Sequence, residues 1–154
     1  MSQIEERLKD LGLTLPKVGK AAGNYVGAVT TTGRLVFISG QGPIVDGEVV
    51  YKGVVGADLS PEEGYKAARI TGLNLLAALE AEIGSLDRVK RIAKLLGWVA
   101  CTPDFTGQPS VMNGMSDLFV EVFGDRGVHA RSALSAHVLA LGMAVEGEMV
   151  VEVE

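Results

Sequence analysis

The chain has one cysteine, Cys101, and two histidines, His129 and His137, in 154 residues. A lone cysteine excludes a disulfide framework and fits a reducing, cytoplasmic setting. With no CxxC or HExxH spacing, no metal site is expected. No apolar run approaches the ~20 residues of a membrane-crossing helix. The first residues, Met1-Ser2-Gln3-Ile4-Glu5-Glu6-Arg7, lack the basic start and apolar core of a secretory signal, so no membrane partner is expected. Charged residues are also sparse, at 21%, and the net charge is −5. The densest basic stretch, Arg88, Lys90, Arg91 and Lys94, is too short for a phosphate-tracking face and reads as solvated charge. No nucleic-acid partner is expected. Ser39-Gly40-Gln41-Gly42 lacks the Lys-Ser/Thr and helix that would make a phosphate loop.

Apolar side chains are plentiful, at 47% with a mean hydropathy of +0.28. That suffices for one domain, residues 1–154, and suggests that part of the surface is covered in an oligomer. Residues 3–12 read as a short amphipathic helix, with Ile4, Leu8 and Leu11 on one face and Gly12 as a stop. Tyr25–Thr30 and Arg34–Ser39 read as a hairpin through Thr31-Thr32-Gly33. Asp46-Gly47 marks a turn before a short third strand at Val49-Val50-Tyr51. Ser60-Pro61-Glu62-Glu63 is a capping box that opens a long helix ending at Gly84. Its Gly64 and Gly72 would permit close packing. A strand is predicted over 88–101. A second long helix spans about Pro109 to Phe123, with Val111, Met112, Met115, Leu118, Phe119 and Val122 inward. Two closing strands follow, Arg131–Val138 and Met143–Val153. Two long helices on one face of a mixed sheet make an α+β fold. The other sheet face then needs a cover, most simply another subunit.

Arg131 is the candidate anion clamp, because a guanidinium at the start of an uncharged strand is costly without an anion to meet it. It competes with a structural ion pair to Glu146 or Glu148, which share a strand face. His129 invites a general-base role, but no triad partner is implied. His137 reads as a strand residue, and Cys101 as a small core residue.

Several pieces together resemble the RidA/YjgF family of reactive enamine/imine deaminases. They are Asn24-Tyr25-Val26-Gly27-Ala28, Phe37-Ile38-Ser39-Gly40-Gln41, Asp104-Phe105 with Asn113, Ala130-Arg131-Ser132-Ala133, and Val145-Glu146. The resemblance covers most of the chain from about Asn24 and leaves residues 1–20 as a helical N-terminal extension. It implies a chorismate-mutase-like fold and a homotrimer with a central barrel and ligand clefts between subunits. It further implies a carboxylate salt bridge at Arg131 and water activation at Glu146. Tyr25, Ser39, Gly40, Asn113 and Ala133 would line the substrate cleft. The substrate would be a small carboxylate, and no cofactor would be needed. Duller readings stand beside these: Tyr25 as a packed strand aromatic, Ser39 as a strand-end hydroxyl, and Asn113-Gly114 as a helix irregularity. The chain departs from the family pattern at Leu139-Ala140 in place of Leu-Pro, at Gly147, and at Ala133 where the deaminating branch often has cysteine. Those departures suit a divergent, longer branch.

Overall fold

A computed structural model describes residues 2–19 and 26–154. Short helix α1 (Gln3–Asp10) precedes strands β1 (Ala28–Thr30) and β2 (Leu35–Gln41). A small hairpin, β3 (Ile44–Val45) and β4 (Glu48–Val49), follows. Then come α2 (Pro61–Ile83), β5 (Val89–Ala100), α3 (Gln108–Phe123), β6 (Ala130–Ala136) and β7 (Val145–Val153). The main sheet runs β1-β2-β7-β5-β6. Among the described strands of this sheet only β5 and β6 pair in parallel, since α3 carries the chain back across the sheet between them.

The helix signals in the sequence act as expected. The Ser60 hydroxyl accepts from the Glu63 N–H at 3.1 Å, and the Glu63 carboxylate returns the bond to the Ser60 N–H at 2.8 Å. Gly84 ends α2 in the left-handed conformation, at φ 80°. All six apolar residues expected on the inner face of α3 are buried. In β7, Val145, Gly147, Met149, Val151 and Val153 are buried in strict alternation. Gly97 and Gly147 lie against Met112 and Met115, so α3 packs on the same sheet face as α2.

Four expectations need correcting. The strand expected to run to Val138 ends at Ala136, so His137 lies beyond it. The third strand falls at 44–49 rather than 49–51, as a separate two-stranded hairpin. Its turn residues Asp46 and Gly47 both have positive φ, 51° and 84°, a conformation that an Asp-Gly pair adopts readily. The first strand is shorter than expected, starting at Ala28, and Tyr25 lies outside the described residues. No irregularity marks Asn113-Gly114, because α3 runs unbroken through it.

The N-terminal helix is tied down from outside itself. The Asp87 carboxylate accepts from the Gln3 and Ile4 N–H groups at 2.8 and 2.7 Å, satisfying two amides that no helix can satisfy internally. Burial pushes the Asp87 carboxyl up, but the Ile4 and Gln3 amides and the Ser2 hydroxyl outweigh it and hold the group below the ordinary range. Stability from this contact is therefore present above the ordinary Asp range and is lost as pH falls through the lowered value. Asp87→Ala is expected to cost about 1 kcal/mol, as other lost caps do. The cost should be local. Amide exchange at residues 3–10 should quicken while that in β5 and β7 does not, and equal protection in both proteins would refute the anchor.

Candidate functional site

The parallel register places Arg131 opposite Leu95 and Ala133 opposite Gly97. Strand alternation then turns both toward the helix-covered face, where Ala133 packs against the core. Two residues one turn apart on α3, Asn113 and Ser116, meet the arginine. Arg131 Nη1 donates to Asn113 Oδ1 at 2.8 Å and to Ser116 Oγ at 3.0 Å. Its Nε and Nη2 donate to no described residue. The expected alternative, an ion pair to Glu146 or Glu148, is not formed. Among the described residues, Arg69 and Glu121 make the ion pair, at 2.6 Å.

Ser116 escaped the sequence reading, and so did what it connects. Its Oγ lies 3.0 Å from His129 Nε2, while His129 Nδ1 lies 2.6 Å from the Gly127 carbonyl oxygen. A carbonyl only accepts, so Nδ1 carries the proton and Nε2 takes the Ser116 hydroxyl hydrogen. Burial pulls the His129 imidazole below its ordinary pKa and the Arg131 charge adds to this, against the opposing pull of the Gly127 carbonyl. The ring also stands edge-on to Phe119, with centroids 5.7 Å apart. A serine three residues after Asn113 carries no motif. Its spacing on the same helix face was the available signal.

A second group forms on the other side of the sheet. Glu146 pairs with Trp98 in β5 and lies between buried Val145 and Gly147. The inner side of Gly147 abuts Met115, so Glu146 points away from the helices. At the end of β2 the register with β7 shifts between Ile38 and Gln41. That shift lays Gly40 against the Glu146 side chain, where any Cβ would collide with the carboxylate. Ser39 donates its hydroxyl to the Val26 carbonyl at 2.7 Å, which matches its strand-end reading. Burial raises the Glu146 carboxyl above its ordinary pKa, and the neighbouring Glu148 charge raises it further. If Glu146 is the proton acceptor, Glu148→Gln is expected to lower that pKa and move the acid limb of the kcat/KM profile to lower pH. An unmoved limb would show that another group titrates.

The structure thus brings Arg131 together with Asn113, and Glu146 with Gly40, but on opposite sheet faces, while Ser39 is engaged with the Val26 carbonyl. A concavity of about 430 Å³ between α1 and α2, lined by Leu8, Leu13 and Glu80 among others, touches neither group. No cluster of three metal-ligating side chains occurs among the described residues, and no helix there is long and apolar enough to cross a membrane.

Residues 5–150 match the family described as "YjgF/chorismate mutase-like, putative endoribonuclease". Protein TCP17 of Trypanosoma cruzi is 41% identical over 97% of this chain and 94% of its own length. The crystal structure of Atu1372 from Agrobacterium tumefaciens, a protein of unknown function, superposes with a TM-score of 0.91 at 39% identity, covering 98% of this chain and 92% of that one. A "putative endoribonuclease" structure from Shewanella oneidensis MR-1 gives 0.94 at 35% identity, covering 99% and 100%.

Proposed function

This chain belongs to the RidA/YjgF, or YjgF/chorismate mutase-like, family, and on that premise we propose that it hydrolyses 2-imino acids, the tautomers of 2-aminoacrylate-type enamines. Water adds at the C=N carbon, ammonia leaves, and a 2-keto acid forms. One observation carries this reading. Arg131 is a half-buried cation whose described partners are two neutral oxygens, with its Nε and Nη2 edge left for a carboxylate. A guanidinium fork matches that group in two parallel bonds. An anion arriving there relieves a charge the protein itself does not neutralise.

Glu146 is the water-orienting group in this reading, and its raised pKa suits proton transfer nearer neutrality. Because it faces away from Arg131, a site that uses both takes them from two chains. A cover for the open sheet face supports the same assembly. Val29, Leu35, Phe37 and Leu134 stand there, 37–50% exposed, more apolar surface than an isolated domain ordinarily leaves in one place. We assign the assembly as a homotrimer acting in the cytoplasm, with neither nucleic acid nor a membrane as partner. The endoribonuclease description fits this chain less well. Its net charge is −5, and Glu146, Glu148 and Glu152 alternate along the open face, which repels a phosphate backbone.

The test is 2-keto acid release from freshly generated 2-iminopropionate, comparing wild type with Arg131→Ala. Acceleration that disappears in the variant supports a carboxylate-clamped imine hydrolase. No acceleration by folded wild type overturns it. A second reading, a trimeric carboxylate-binding protein without turnover, is favoured by the fact that within one chain the clamp and the acid–base group lie on opposite sheet faces. Pyruvate binding without acceleration by wild type would establish it. Turnover that falls in Glu146→Gln while binding persists would dismiss it.

A further inference from the structure

Arginine side chains lose considerable rotational freedom when fixed, so a clamp works best when something holds it before the ligand arrives. We propose that Ser116 and His129 are positioning residues for Arg131: anchored to the Gly127 carbonyl, they hold Nη1 so that the guanidinium presents its Nε–Nη2 edge to a carboxylate. The proposal rests on the clamp reading above and adds residues that reading does not use.

The chain of hydrogen bonds has one consistent direction. Gly127 can only accept, so it fixes the imidazole tautomer, with the proton on Nδ1. The unprotonated Nε2 then draws the Ser116 hydrogen, which leaves the Ser116 lone pairs for Arg131 Nη1. Each bond polarises the next. The backbone anchor is itself immobile. Gly127 is buried, and a Cβ there would collide with the Phe119 carbonyl, so the turn after α3 is pressed against the helix that carries Ser116. The same helix supports the imidazole through Phe119. Asn113 takes the other Nη1 hydrogen, so neither hydrogen of that nitrogen is left for ligand. A Ser–His pair also invites a nucleophile reading. Ser116 sits inside a helix, however, where the nearby backbone N–H groups are already bonded, and its oxygen already accepts from Arg131. It serves as a brace.

The experiment uses the full-length protein with 15N-labelled arginine, with the Arg131 Nη1 resonances assigned by their loss in Arg131→Lys. Ser116→Ala removes the brace, Ser116→Thr keeps its hydroxyl, and His129→Phe keeps the ring against Phe119 while removing both nitrogens. Solvent exchange of the Nη1 protons, which Ser116 and Asn113 hold, is expected to quicken about tenfold in the first and third variants, the equivalent of one lost hydrogen bond to a charged group, and to stay slow in Ser116→Thr. In 2-iminopropionate hydrolysis the same two variants should raise KM about tenfold and leave kcat nearly unchanged, because ground-state and transition-state carboxylates are held alike. Folded Ser116→Ala and His129→Phe proteins with wild-type Nη1 exchange, or with wild-type KM, would overturn the proposal. If wild type shows no turnover, the deaminase reading falls, and the exchange rates alone then decide whether Ser116 and His129 hold the arginine.

Discussion

Arg131→Ala and Glu146→Gln proteins, each inactive alone, are expected to recover about a quarter of wild-type imine hydrolysis when unfolded, mixed in equal amounts and refolded together, as random assembly of a cyclic oligomer dictates. The reasoning follows from the two faces of the sheet. Arg131 lies under α3 with Asn113 and Ser116, whereas Glu146 lies on the open face against Gly40. β5 lies between their strands and pairs without interruption from Lys94 to Val99 with both β6 and β7, so neither side chain can turn to the other's side without breaking the sheet. A site needing both draws the arginine from one chain and the glutamate from its neighbour. In a random mixture half the chains keep each group, and a given interface has both intact in about one case in four. A site complete within a single chain would show no recovery. Substantial activity in Glu146→Gln alone would remove Glu146 from the mechanism.

The separation of these two residues also marks where sequence reasoning reaches its limit. Local signals were enough for α2, because Ser60, Pro61, Glu63 and Gly84 act on their own neighbours. They were enough for the alternation within β7 as well. Alternation within a strand says nothing about which face the next strand shares, and that depends on register. Here the shifts between Ile38 and Gln41 and between Ile92 and Lys94 intervene. Arg131 and Glu146 were therefore recognisable as candidates but not as members of different faces. Ser116 was hidden for another reason. A serine in a helix is common, and its meaning comes only from His129 and Arg131, which a strand thirteen and more residues away brings to it. The short hairpin at 44–49 was displaced in the sequence reading because apolar Val49-Val50 drew the strand past its turn-defined end.

Gly114→Ala is expected to destabilise the protein by about 1–3 kcal/mol, the range for an overpacked core. The opposite sign would be expected from propensity alone, since alanine favours a helix interior over glycine by about 1 kcal/mol. Packing reverses it. A Cβ at Gly114 collides with the Tyr65 carbonyl oxygen of α2, with the Ala68 Cβ and the Arg69 nitrogen each 3.0 Å away. Two of those three atoms are backbone inside a long helix and cannot rotate aside. Gly72 makes the instructive contrast, because a Cβ there meets the Leu118 Cδ2 at 2.9 Å, the end of a side chain that can shift. Gly72→Ala should therefore cost less than Gly114→Ala. Melting followed by circular dichroism at fixed protein concentration checks this, with about 2–4 °C expected per kcal/mol for a chain of this size. The substitution also reaches the site. Gly114 lies between Asn113 and Ser116, so separating α3 from α2 carries both oxygens away from Arg131, and KM should rise along with the fall in melting temperature. A Gly114→Ala protein that melts with wild type would show that α2 and α3 are not held at contact distance, and the placement of Asn113 and Ser116 over Arg131 would then need another cause.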